Sequence, residues 1–470
     1  MVKNITTNRL YQLPPDVDIV SHVENPNENR IDIHISLPTT ERTCPHCGSH
    51  SCVIKDSGRE QTFRHLPAVK RSTFVTFRRK RFLCQKCVST FSLPVDFVHD
   101  RLRITKGLYV DICMKLTELK SIKAIAEEEM VTRDIVTGVL KTISFDRPKK
   151  LPVILCIDEF KGDSGTYDSE KKRWKTNRLL TAITDGANRA LIDVLPYIDG
   201  KQIVAYFMQY TLEERNRVKF FSCDMSNGFI SVAKKCFPNA TICIDLFHVV
   251  NRVNKAMSDI RIRVQNDLLK KASDNIWLAG AQDDPAYKAR LLHEKEKFLL
   301  DYKFLKNSQL LLTTKESLKA KKWATNMEHK VADLNRALSL STDIQEMYDK
   351  LQEFHVILET DSYAMQRMFY TEWLTSCLSS DVPEIRAVAT TLKHWRGYIQ
   401  NTWENPQVSN GIAEGINNII KVYKRISFGN PDFETMRKRL LLICGYTKQS
   451  KNPAAMFRQK LDDGDGNISF

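Results

Sequence analysis

Val153-Ile-Leu-Cys-Ile157-Asp158 is an unbroken apolar run closed by a carboxylate, and it decides the architecture. A short apolar run bounded by turn signals has the pattern of a strand. Leu179-Leu-Thr-Ala-Ile183, Ala190-Leu-Ile-Asp-Val-Leu195, Arg217-Val-Lys-Phe-Phe-Ser-Cys223 and Ala240-Thr-Ile-Cys-Ile244 repeat it, with helical spacing near 201–214 and 226–236 between them. The expectation is an α/β sheet domain. Asp158 follows one apolar strand and Asp224 follows another, so each carboxylate is expected at or near a rigid sheet end.

Upstream, Ser144-Phe-Asp-Arg-Pro-Lys-Lys-Leu-Pro152 has the prolines and cations of an exposed linker. Three short helical patterns precede it, Thr105 to Leu119, Ser121 to Glu129 and Thr132 to Ile143, with Ser121 and Thr132 placed as N-caps. Ile122, Ile125, Ala126, Val131, Ile135, Val136 and Val139 form the inward stripe. Arg133, Asp134, Thr137 and Lys141 face outward from the third helix, where a helix-turn-helix makes its base and phosphate contacts. The same pattern fits an ordinary three-helix packing unit.

Further upstream, Cys44-Pro-His-Cys47 and Cys84-Gln-Lys-Cys87 are two CxxC knuckles. Four thiolates fill a tetrahedral structural Zn²⁺ and leave no open position for substrate. His46, His50 and Cys52 are read as bystanders. Phe74-Val-Thr-Phe77 and Arg81-Phe-Leu83 alternate as strands do, the second leading into Cys84 as a zinc-ribbon hairpin would. From Gln61 to Val95 no acidic residue occurs, while Lys70, Arg71, Arg78, Arg79, Lys80, Arg81 and Lys86 crowd the segment. Cations without carboxylates beside them suit phosphate contact.

Downstream, 250–404 is helical in pattern and carries Trp277, Trp323, Trp373 and Trp395, read as core anchors. A last amphipathic helix begins at Ser409-Asn-Gly, with Ile412, Ile416, Ile419 and Tyr423 on one face and Glu414, Asn417, Asn418 and Lys421 on another. Asp158, Asp224 and Glu414, if they converge, are hard oxygen ligands of the kind that hold Mg²⁺ or Mn²⁺; an Asp that ends a strand is also read as a turn or cap residue, and the chain has 56 acidic residues.

The 470 residues suffice for roughly three domains. A net charge of +15 favours a polyanionic partner. Twelve cysteines in a chain whose Met-Val-Lys-Asn-Ile-Thr start lacks an apolar signal core, with no stretch approaching a membrane span, point to a reducing, cytoplasmic compartment.

The order of knuckles, helix-turn-helix, Ile157-Asp158-Glu-Phe160, Cys223-Asp224-Met225, Asp245-Leu-Phe-His248-Val-Val250 and Ser409-Asn-Gly-Ile-Ala-Glu414-Gly-Ile-Asn417-Asn418-Ile-Ile-Lys421 resembles the ISL-three family of bacterial insertion-sequence transposases. The resemblance spans nearly the whole chain. It implies a multidomain α/β protein with a ribonuclease-H-like catalytic core interrupted by an all-α insertion, preceded by a zinc ribbon and a helix-turn-helix. The implied divisions are 1–97 for the N-terminal segment and ribbon, 98–146 for the helix-turn-helix, 153–249 for the first part of the core, 250–404 for the insertion, 405–450 for the last core helix and a C-terminal helix, and 451–470 for a tail. It makes Asp158, Asp224 and Glu414 the acidic triad, with Asp245, His248, Asn418 and Lys421 supporting it and Lys424 and Arg425 contacting DNA. The implied activity is metal-dependent cleavage and strand transfer at the terminal inverted repeats of an insertion sequence, by a homodimer or higher assembly on double-stranded DNA. Two other classes share parts of the pattern: a zinc-containing helix-turn-helix regulator with an inactive core, and a ribonuclease-H-like resolvase.

Overall fold

The computed structural model describes residues 8, 10–38, 43–162, 167–168, 173–174, 179–306, 309–313, 327–408, 411–427, 432–445, 450–463 and 466–470. The chain forms two compact units, one from Met1–Lys150, Glu159–Ile198 and Ile412–Phe470, the other from Leu151–Asp158 and Asp199–Gly411.

The N-terminal strands of the first unit are β1 (Asp18–Asn25), β2 (Arg30–Ser36), β3 (Cys52–Asp56), β4 (Glu60–Ala68), β5 (Arg71–Arg78), β6 (Arg81–Cys84), β7 (Thr90–Ser92), β8 (Val98–His99) and β9 (Ile104–Thr105). They build two sheets, in the orders β1-β2-β5-β4-β9-β8 and β3-β6-β7. The Phe74–Phe77 strand therefore does not belong with the cysteine-bearing hairpin. Thr73, Val75 and Phe77 point to one face of β5 and need an apolar layer, which Ile31, Ile33 and Ile35 of β2 and Phe63 of β4 supply. Phe63 and Phe77 stack with their centroids 5.2 Å apart.

Three helices follow: α1 (Lys106–Leu116), α2 (Ile122–Glu128) and α3 (Arg133–Thr142). Thr105 and Ser121 cap the first two by accepting from the backbone N–H groups of Leu108 and Ala124. Thr132 stands at the third cap without a side-chain bond. Their buried stripe, with Ile125, Val136 and Val139 at its centre, closes over Phe457, Leu461 and Ile468 from the end of the chain. Ile143–Ser144 (β10) pairs in parallel with Ile468–Ser469.

The first helix stops at Leu116, one turn earlier than its pattern predicts, because the carbonyls beyond it find another partner. The fully buried Arg439 guanidinium donates to the carbonyl oxygens of Leu116, Glu118 and Lys120. Arg439→Met leaves these acceptors unpaired, at about 1–3 kcal/mol each when buried. We expect urea unfolding of this variant to show a loss of roughly 3 kcal/mol or more.

The central strands are β11 (Ile154–Lys161), the short pair β12 (Tyr167–Asp168) and β13 (Arg173–Trp174), β14 (Leu179–Asp185), β15 (Ala190–Leu195), β16 (Phe220–Cys223) and β17 (Thr241–Ile244). Their sheet has the order β15-β14-β11-β16-β17. β14 and β15 form an antiparallel hairpin, while β11, β16 and β17 run parallel. β11 contributes Ile154–Asp158 to the second unit and Glu159–Lys161 to the first. Asp158 thus lies within a strand rather than after one, since Phe160 continues the buried pattern. Residues 217–219 end the helical turn before β16 instead of extending it, Val218 N–H bonding back to the Arg215 carbonyl.

α4 (Gly200–Phe207), α5 (Leu212–Asn216) and α6 (Asn227–Cys236) connect these strands. In the second unit α7 (Leu246–Gly280), α8 (Pro285–Phe304), α9 (Met327–Ser339), α10 (Thr342–Glu359), α11 (Tyr363–Leu378) and α12 (Pro383–Glu404) follow β17. α12 is fixed to the edge strand. The Thr402 hydroxyl accepts from Ile244 N–H at 2.9 Å and Asn401 Nδ2 donates to the Ile242 carbonyl at 2.8 Å. Trp373 and Trp395 are buried as expected, but Trp277 is 73% exposed; Trp323 lies outside the described residues. The first unit is completed by α13 (Gly411–Ile426), α14 (Phe433–Cys444), α15 (Pro453–Asp463) and β18 (Ile468–Ser469).

Candidate active site and metal centre

Each cysteine knuckle is a tight turn through one left-handed residue. Gly48 N–H bonds the Cys44 carbonyl and Cys44 N–H the Ser49 carbonyl; Val88, Cys84 and Ser89 repeat the pattern. The turns bring Cys44 Sγ within 3.6 Å of Cys87 Sγ and Cys47 Sγ within 3.6 Å of Cys84 Sγ, all four lying within 4.8 Å of one another. Zn–S bonds of about 2.3 Å in a tetrahedron separate sulfurs by roughly 3.8 Å, so the cluster has the size of a Zn²⁺ site. Cys52 turns its thiol to the Ser49 carbonyl instead.

The carboxylates are placed by strand register. Cys156 is opposite Ser222, the last pair of the two parallel strands, and Asp158 and Asp224 each follow two residues on, Asp224 just past the end of β16. Cys223 is opposite Ile244, which brings Asp245 next to Asp224 in the same row. Adjacent strands lie about 4.8 Å apart. Asp245 has a structural duty, capping α7 by accepting from Phe247 N–H at 3.0 Å, and its Oδ2 lies 3.7 Å from His248 Nε2. Asp224 shows no such duty: among the described residues its buried Oδ1 has no hydrogen-bond partner. Burial, and secondarily the Asp245 charge, raises its pKa against the opposing pull of His248 and Arg252. An uncompensated buried carboxylate oxygen facing a second acid is what a bound cation would relieve. Among the described residues the four thiols are the one group of three or more such ligands gathered within 4.8 Å.

Arg252 was not among the residues expected here. Its signal is the helical spacing from Asp245 through His248, which brings residue 252 round one turn further on α7.

Glu414 belongs to the first unit, exposed in the first turn of α13. Among the described side chains of that helix Ile416, Ile420 and Tyr423 are buried, packed with Phe160, Leu180, Ala182 and Leu191, while Ile419 is only partly covered and the Ile412 side chain lies outside those described. The buried face is thus centred one residue later than Ile419. Asn418 and Lys421 are exposed and bonded to one another at 3.2 Å. Lys424 Nζ donates to the Lys161 carbonyl at 2.7 Å, and Arg425 is exposed. Ser409 and Asn410 lie outside the described residues.

The basic segment is not unopposed. Arg78 pairs with Glu60 at 3.6 Å, Arg79 with Asp100 at 2.7 Å, Arg81 with Asp56 at 3.3 Å, and Arg71 with Glu24. Every one of these acids lies outside residues 61–95 and arrives through strand pairing or a loop, which a sequence window cannot register. Lys70 and Lys86 are exposed, as are Arg133 and Lys141 on α3, with Thr137 half-buried between them.

Residues 155–440 match the family model of ISL3 transposases, described as a transposase. The chain belongs to the ISL3 transposase family. Residues 40–87 of the transposase match the zinc-finger of transposases IS204/IS1001/IS1096/IS1165, which makes the thiol cluster the structural zinc site of a ribbon. The transposase for insertion sequence element IS1001 of Bordetella parapertussis is 22% identical over 419 residues, covering 88% of this chain and 92% of that relative. Asp158, Asp224, Asp245, His248, Glu414 and Lys421 all fall within the larger matched span. β1, β2 and α1–α3 fall outside both. Among the described residues no helix is long and apolar enough to cross a membrane.

Proposed function

We propose that this transposase binds the terminal inverted repeats of its own insertion sequence through the zinc ribbon and a helix-turn-helix formed by α1–α3, as a dimer or larger assembly in the cytoplasm, and cuts and joins DNA strands with Asp158, Asp224 and Glu414. The reading is carried by Asp158 and Asp224, each two residues beyond the last paired position of adjacent parallel strands, the second with a buried oxygen that has no hydrogen-bond partner among the described residues. The strand order β15-β14-β11-β16-β17, a hairpin on one side of the first strand and two parallel strands on the other, supports a ribonuclease-H-like core. Exposed Arg133 and Lys141 on α3, with Thr137 half-buried between them, support DNA recognition.

Mg²⁺ or Mn²⁺ bound by these acids would supply charge stabilisation for the attacking and leaving oxygens. The carboxylates hold and orient; His248 and Arg252 limit the negative charge around Asp224. In the cut, the oxygen of water bonds to phosphorus, the P–O3′ bond breaks, and the proton released by water is balanced by the one taken up on the 3′-oxygen. In the joining step that 3′-hydroxyl oxygen bonds to a target phosphorus while a target P–O3′ bond breaks. One phosphodiester replaces another, so no nucleotide energy source is required.

Glu414→Gln tests the triad against the nearest rivals. Glu384 is already held by Arg263 through two bonds of 2.7 and 3.0 Å, and Glu404 ends α12. We expect Glu414→Gln to retain zinc and end binding and to lose Mg²⁺-dependent donor cleavage by about 10²–10³-fold, whereas Glu404→Gln still cuts. Cleavage by Glu414→Gln at the wild-type rate refutes the assignment.

A further inference from the structure

Two features of the β4–β5 hairpin have no explanation in packing. Ala68 pairs with Arg71, so Val69 and Lys70 alone make the turn, and both are left-handed, with φ of 50° and 57°. A two-residue turn of this kind ordinarily takes Asn-Gly, since a β-carbon is crowded there and a β-branched side chain is crowded most. Val69 is nevertheless 87% exposed, the largest exposure among the large apolar side chains of the described residues. The strained tip is also braced. Asn29 Nδ2 donates to the Lys70 carbonyl at 3.3 Å, and Ser72 N–H donates to the Asn29 carbonyl at 3.0 Å. A fixed, strained turn that holds an apolar group in water gains nothing for the fold.

The second feature lies on the outward face of the same hairpin. Two guanidinium groups cover the Phe74 ring, Arg30 at 4.0 Å and Arg64 at 4.4 Å from its centroid. Asp32 answers Arg30 at 2.7 Å. Among the described residues Arg64 has no ion-pair partner, and burial together with the Arg30 charge lowers its pKa. Two cations and one carboxylate leave a positive charge suited to an external anion.

We propose that the β4–β5 hairpin is a separate DNA-contacting element, its Val69-Lys70 tip entering the major groove of the element-end duplex with Val69 against a thymine methyl and Arg64 against a backbone phosphate. This rests on the reading that the transposase binds its element ends. The groove, about 12 Å wide, admits a two-stranded β-ribbon, and the thymine methyl is its one apolar feature. A rigid apolar tip beside the exposed Lys70 matches that combination of methyl group and flanking phosphates.

The test uses full-length, zinc-loaded protein, an end duplex, a random duplex, and end duplexes with single thymine-to-uracil replacements, which delete the methyl alone. Val69→Asn suits the left-handed turn, so its melting temperature should equal or exceed that of wild type. It should bind the end duplex about 5- to 10-fold more weakly and abolish the uracil penalty at one or more positions where wild type shows it. Arg64→Gln should weaken binding to both duplexes and lower the salt slope by about one. If Val69→Asn binds ends as wild type does with every uracil penalty intact, the inference is overturned. Failure of the wild-type protein to prefer ends over random duplex overturns the end-binding reading, and this inference with it.

Discussion

Asp158→Asn and Asp224→Asn transposases will keep their zinc and their affinity for element ends and lose donor-strand cleavage by about 10³-fold, equivalent to ~4 kcal/mol of transition-state stabilisation. Asparagine has nearly the same shape as aspartate but no charge with which to hold a divalent cation. The expectation is sharpest at Asp224, where the geometry separates function from stability. A turn or capping aspartate would bond backbone N–H groups, as Asp245 does with Phe247 and Asp185 does with Ala187 and Asn188. Asp224 Oδ1 is buried without such a bond, and Asp245 stands beside it in the strand register. In the metal-free protein this carboxylate is a destabilising group, so Asp224→Asn should melt at the same temperature as wild type or above it while cleavage is lost. Supercoiled donor plasmid with Mg²⁺, alongside a thermal melt in EDTA, measures both. A variant that cleaves normally but melts well below wild type would make Asp224 a structural residue.

That contrast also marks what the amino-acid order makes legible. Strands such as Ile154–Asp158 and Ala190–Leu195 are buried along almost their whole length, so apolar content alone locates them. The knuckles are legible for a similar reason, since ligand spacing is local. Relations set by distant chain are harder to read. The end of α1 depends on Arg439, more than 300 positions away. The basic segment looks unopposed until β3, β4 and the loop before β9 bring Asp56, Glu60 and Asp100 to it. The alternation Ile31-Asp-Ile-His-Ile35 carries a clear strand signal, yet nothing local says that β5 will pair with it rather than with the cysteine hairpin. The helix bearing Glu414 is legible by its period; the choice of Ile420 over Ile419 as the buried residue depends on Phe160 and Leu180, which belong to other elements.

Removing one zinc ligand should abolish the fold of the ribbon while leaving the six-stranded sheet intact. Apart from its metal-cluster thiols, the ribbon core consists of Cys52, Phe82 and Phe91 with Leu93 partly covered, far too little apolar area to offset the ordering of strands β3, β6 and β7. A structural tetrathiolate site contributes apparent binding energy of about 10–16 kcal/mol, so for this module metal binding and folding are one equilibrium. The sheet β1-β2-β5-β4-β9-β8 has its own core, in which Ile31, Ile33, Phe63 and Val75 are fully or almost fully buried, and it does not require the ion. Cys84→Ser is therefore expected to lose its one equivalent of zinc, to become protease-sensitive at residues 43–56 and 81–93, and to lose selective end binding, while β4, β5 and the rest of the unit resist digestion. Cys52→Ser is the control, because that buried thiol lies in the same small core but faces the Ser49 carbonyl rather than the cluster; it should retain zinc at full stoichiometry. Metal analysis that finds one zinc per chain in Cys84→Ser, or a ribbon that stays protease-resistant after chelation, would show that the strands hold together without the ion.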